Sequence, residues 1–126
     1  IHPRTHKILQ NLDVKFENLN FVPSQSYLEF MFLLSNCFAI ITDSGGITEE
    51  STILGVPCLT IRDNTERPET IDIGTNILIG TDPEKFEKHF NRLFNNQWNK
   101  GNIPEKWDGK AGLRIIRALE QEILRC

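Results

Sequence analysis

Residues 38–50 read Phe38-Ala39-Ile40-Ile41-Thr42-Asp43-Ser44-Gly45-Gly46-Ile47-Thr48-Glu49-Glu50. Phe38 to Thr42 is a nearly unbroken apolar run, the pattern of a strand buried on both faces of a parallel sheet, and it is expected to be central there. Asp43-Ser44-Gly45-Gly46 breaks the run. Ile47 to Leu54 then fits a two-turn helix closed by Gly55 as its C′ residue. Such a strand-to-helix junction leaves the first helical N–H groups unpaired beyond the carboxyl end of the strand. The helix dipole adds partial positive charge there, which favours an anion, phosphate above all. Gly45 and Gly46 carry no Cβ to keep a ligand away from the backbone, and Glu50 lies one turn on, where a carboxylate can accept hydrogen bonds from a sugar diol. The same residues also fit a plain tight turn capped by Ser44, with the acids of the helix answering its own dipole.

Outward from this junction, strand-like and helix-like segments alternate. Before it, Leu19-Asn20-Phe21-Val22 reads as a short strand, and Ser26 can cap a helix from Tyr27 to about Asn36. After it, Pro57 to Ile61 is the next strand and Arg62 to Gly74, polar and containing Pro68, reads as a long loop. Asn76 to Ile79 is a further strand, and Asp82-Pro83 starts a helix with Phe86, Phe90, Leu93 and Phe94 on one face. A final amphipathic helix is expected from Ala111 to about Leu124, with Ile115, Ile116, Leu119 and Ile123 facing inward. Repeated strand-then-helix units predict an α/β doubly wound domain with a parallel sheet.

The chain has 126 residues, which suits one domain. Fourteen basic residues against seventeen acidic ones give a net charge of −3, which argues against a nucleic-acid surface. The longest apolar run is far too short to cross a bilayer, so no membrane partner is expected. The three cysteines, Cys37, Cys58 and Cys126, form no CxxC pair; Cys37 and Cys58 read as small core residues, and reduced thiols fit a cytoplasmic protein. The opening Ile1-His2-Pro3, without methionine, reads as the end of a strand whose body lies upstream, hence as an excised domain.

A second segment follows the Pro57–Ile61 strand: Arg62-Asp63-Asn64-Thr65-Glu66-Arg67-Pro68-Glu69. Its two arginines can reach a diphosphate with bidentate geometry, or can form a solvated loop of mutual ion pairs. Parallel topology places this loop and the Ser44–Gly46 turn on one edge of the sheet. The carboxylate pairs Glu49-Glu50 and Glu66-Glu69 read as surface charge, and Trp98 and Trp107 as packing anchors.

These segments together resemble the non-hydrolysing UDP-N-acetylglucosamine 2-epimerase family. The resemblance rests on Thr42 to Glu50, Gly55-Val56-Pro57, Arg62 to Glu69, Gly74-Thr75, Gly80-Thr81-Asp82, Asp108-Gly109-Lys110-Ala111 and the opening His2-Pro3-Arg4-Thr5. It implies a Rossmann-like parallel sheet with helices on both faces, similar to the C-terminal half of a glycosyltransferase-B-like fold. It further implies conversion of UDP-GlcNAc to UDP-ManNAc by elimination and re-addition of UDP. The acid and base carboxylates would lie in an N-terminal domain absent from this chain, so no catalytic residue is assigned. Carried over by position, Ser44, Gly45 and Gly46 would bind the diphosphate, Glu50 the ribose and Arg67 the phosphates. Gln25 and Phe30 would flank the uracil, and His2 would lie near bound nucleotide. The resemblance implies no metal or other cofactor, UDP and a UDP-sugar as ligands, the missing N-terminal domain as partner, and a homodimeric intact enzyme. A glycosyltransferase-B half, or an epimerase of a related UDP-2-acetamido sugar, would share these features.

Overall fold

A computed structural model describes residues 17–125. They fall into two compact units divided between Leu33 and Leu34. His2, together with the His-Pro opening, lies outside the described residues.

In the first unit, helix α1 (Tyr27–Asn36) begins where expected and runs on past the boundary. Ser26 is its start signal: the Glu29 carboxylate accepts from the Ser26 amide (2.9 Å) and hydroxyl (2.7 Å), fastening the first turn. The expected strand Leu19–Val22 is not among the strands of the described residues; these four are exposed and irregular.

The second unit is built on a three-stranded parallel sheet in the order β1 (Ile40–Thr42), β2 (Cys58–Thr60), β3 (Asn76–Leu78). Ile40 aligns with Cys58, and Cys58 with Asn76. Among the described residues β2 is therefore central and β1 lies at the side, contrary to the position expected for the Phe38–Thr42 run. Phe38 itself is exposed and stacks obliquely on Phe94. Cys58 and Leu59 are fully buried, as a strand with neighbours on both sides requires.

Helix α2 (Gly45–Leu54) follows β1, starting two residues before the expected Ile47 because a first-turn glycine forgoes little where amides lack partners anyway. Gly55 closes it in the left-handed conformation at φ 69°, where a Cβ would be strained. Within the expected loop 62–74 a one-turn helix, α3 (Glu69–Asp72), forms behind Pro68, whose fixed φ of −58° is already helical. Helix α4 (Pro83–Phe94) follows β3, and Asp82 caps it by accepting from Glu84 and Lys85. Phe86, Phe90 and Phe94 stack along one side of it. Helix α5 (Ala111–Ile123) is amphipathic but buries no residue; Ile115, Ile116, Leu119 and Ile123, expected inward, are exposed. Its start is held by Asp108, which pairs bidentately with Arg114 at 2.8 and 2.6 Å. That guanidinium keeps the Asp108 carboxyl well below the usual carboxylate range.

Candidate nucleotide-binding site

Because all three strands run parallel, their carboxyl ends gather three loops on one edge of the sheet. The β1 loop delivers the start of α2. Ser44 is its N-cap in an extended conformation, and its hydroxyl makes no capping hydrogen bond. The Ser44 amide instead donates to Thr42 Oγ1 at 3.0 Å, which sets the turn from below. No acidic residue lies in the first turn of α2, so its dipole is not answered locally by a carboxylate on the helix. The space above Gly46 is open: a Cβ there would meet nothing within 4 Å. Above Gly45 the nearest group is the Glu66 carboxylate, 3.8 Å from where a Cβ would stand. Glu50, half-buried, lies farther along the same helix.

The β2 loop carries both arginines to this edge. Arg62 forks onto Glu66, with Nη1 and Nη2 donating at 3.2 and 2.8 Å, and holds its carboxyl below the ordinary value. Arg67 donates through Nε to Glu49 Oε1 on α2 and through Nη1 to the Glu66 carbonyl oxygen at 3.3 Å. The Glu49 hydrogen bond raises the Arg67 guanidinium above its ordinary value. The β3 loop completes the edge at Gly80, whose amide donates to the Arg62 carbonyl at 3.2 Å. Gly80 has φ 60°, and a Cβ on it would collide with the Asp63 carboxylate.

The second unit thus brings Ser44, Gly45, Gly46 and Arg67 onto one edge, with Glu50 farther along α2. Gln25 and Phe30 belong to the first unit, where the exposed Gln25 amide donates to the Pro23 carbonyl at 2.9 Å and Phe30 is half-buried on α1. Glu49, expected to be plain surface charge, is the partner of Arg67, and a contact across eighteen residues has no local signature. Trp98 meets the expectation of a packing anchor: half-buried, it donates from Nε1 to the Thr75 carbonyl at 3.0 Å. Cys58 is a buried core thiol, whereas Cys37 is only partly covered. Among the described residues no cluster of three or more His, Cys, Asp or Glu could hold a metal ion, and no helix is long and apolar enough to cross a membrane.

Residues 1–120 match the family model described as UDP-N-acetylglucosamine 2-epimerase. The chain belongs to this family. It is 46% identical over 124 residues to the UDP-N-acetylglucosamine 2-epimerase of Methanocaldococcus jannaschii, covering 94% of this chain and 33% of that protein. It is 50% identical over 127 residues to the enzyme of Methanococcus maripaludis, covering 92% of this chain and 33% of that protein. The M. jannaschii 2-epimerase crystallised with UDP-GlcNAc and UDP superposes with a TM-score of 0.77 at 41% identity, over 96% of this chain and 34% of that one. The Neisseria meningitidis 2-epimerase bound to UDP-GlcNAc gives 0.79 at 34% identity, over the same shares. The chain spans about a third of the length of the epimerases it matches.

Proposed function

We propose that this chain is the UDP-holding, C-terminal part of an epimerase that interconverts UDP-GlcNAc and UDP-ManNAc. The supporting observation is that a helix N-terminus open above Gly46 and the Arg67 loop share one sheet edge, in a chain 41% identical to an epimerase crystallised with UDP-GlcNAc and UDP. The amides of Gly45 and Gly46 and the Arg67 guanidinium would take the diphosphate, Glu50 the ribose hydroxyls, Gln25 and Phe30 the uracil, and His2 the nucleotide's surroundings. Preorganised amides and a fixed cation suit stabilisation of the charge that develops on departing UDP. In this reading the whole chain acts as one Rossmann-like domain with helices on both faces of its sheet. Acid and base carboxylates come from an N-terminal domain, and the intact enzyme is a cytoplasmic homodimer.

Calorimetric titration of UDP and dUDP into the chain and two variants tests the assignment. Arg67→Ala should weaken UDP binding about ten- to a hundredfold, the range for losing one charged hydrogen-bond partner. Glu50→Ala should weaken UDP on the same order and should shrink the difference between UDP and dUDP, because that difference resides in the 2′-hydroxyl. Unchanged affinity in both variants would place the nucleotide elsewhere.

A further inference from the structure

Arg67 is half-exposed and sits in a loop, where a long side chain ordinarily samples many rotamers. Here it is held from two sides. Behind it runs a buried chain of hydrogen bonds: Thr60 Oγ1 donates to Asn76 Oδ1 (2.5 Å), Asn76 Nδ2 to Thr70 Oγ1 (3.2 Å), and Thr70 Oγ1 to the Arg67 carbonyl oxygen (2.8 Å). Thr60, Thr70 and Asn76 are all essentially inaccessible, so the Arg67 backbone is tied to the interior between β2 and β3. In front, Glu49 takes the Nε hydrogen. Nε is the donor nearest the stem, and fixing it sets the plane of the guanidinium while leaving the far Nη2 edge without a partner among the described residues. Glu49 stands on α2, the helix whose first amides form the other half of the proposed anion site, so the bond fixes one half against the other.

We propose that Glu49 is a positioning residue for nucleotide binding: it anchors Arg67 Nε so that the guanidinium presents its Nη edge to a diphosphate at the start of α2. The proposal rests on the reading of Arg67 as a phosphate ligand and assigns Glu49 no contact with the nucleotide. Its sign is distinctive. A carboxylate close to a diphosphate repels it, so a Glu49 without a positioning role would, when neutralised, let UDP bind more tightly. A positioning Glu49 gives the opposite result.

The experiment is a titration of UDP into the wild-type chain, Glu49→Ala, Glu49→Gln, Arg67→Ala and the Glu49→Ala/Arg67→Ala double variant, each first checked for an unchanged circular dichroism spectrum. Glu49→Ala is expected to weaken UDP binding about three- to tenfold. Glu49→Gln, which keeps an oxygen for Nε, should recover most of that loss, and Glu49→Ala should cause no further loss once Arg67 is alanine. Wild-type or tighter binding by Glu49→Ala, alongside weakened binding by Arg67→Ala, would overturn the positioning role and leave the Arg67 assignment standing. An equal loss in the Arg67→Ala background would overturn it too, since Glu49 would then act on the nucleotide without Arg67. Unchanged binding by Arg67→Ala would instead remove the reading on which the proposal rests.

Discussion

Helices α2 and α5 belong to the same unit and depart from ordinary burial in opposite directions. In α2 the inaccessible residues are hydroxyls, Thr48, Ser51 and Thr52, each 2% exposed or less. In α5 the accessible ones are aliphatic, with Leu113, Ile116 and Leu119 all above 50% exposed. The α2 hydroxyls are tolerated because each donates back to its own helix: Thr48 to Gly45 O at 2.6 Å, Ser51 and Thr52 both to Thr48 O at 2.9 Å. Small satisfied side chains let the helix settle closely onto all three strands, and that closeness aims its amino end at the edge where Arg67 waits. In α5 a clear apolar stripe finds no cover among the described residues. Placement of a helix is thus decided by what it can pack against and satisfy, more than by how apolar it is.

The contrast can be broken at three places. The deepest is Leu59, fully buried on the central strand: Leu59→Ala should destabilise the unit by about 2–5 kcal/mol in a denaturant titration, and a loss below 1 kcal/mol would mean the sheet is not the core. Next is the buried polar chain. Asn76→Ala leaves the Thr60 hydroxyl without its acceptor and Thr70 without one of its two partners, and should destabilise by about 1–3 kcal/mol in the same assay. The smallest effect belongs to α5. Leu119→Ala exposes little that is not already exposed, and should shift stability of this chain by no more than about 0.5 kcal/mol. A loss as large as that of Leu59→Ala would show that the stripe is covered after all.

Much of the second unit was legible because its signals are local. The apolar run into two glycines marked β1 and the start of α2, Asp82-Pro83 marked α4, and alternation of strand and helix put the Ser44 turn and the Arg67 loop on one edge. What was missed depended on more than local pattern. Leu19–Val22 has strand composition but is irregular, and the stripe of α5 reveals a face without saying what lies against it. Helix α3 escaped notice because four residues are too few for a period and Pro68 reads as a breaker, although at a helix start proline is preorganised. In the candidate site, glycines and an arginine announce themselves, whereas Glu49 acquires its role only through a contact eighteen residues away.

The register of the sheet also bears on how the unit assembles. Ile40 pairs with Cys58 and Cys58 with Asn76, eighteen residues apart in each case. Closing either crossover therefore loses nearly the same chain entropy, which grows only with the logarithm of loop length. Neither ladder has a head start, and α2, which touches all three strands, is the element able to gather both. Lengthening the connection between β1 and β2, or that between β2 and β3, would upset this parity and give folding a preferred order.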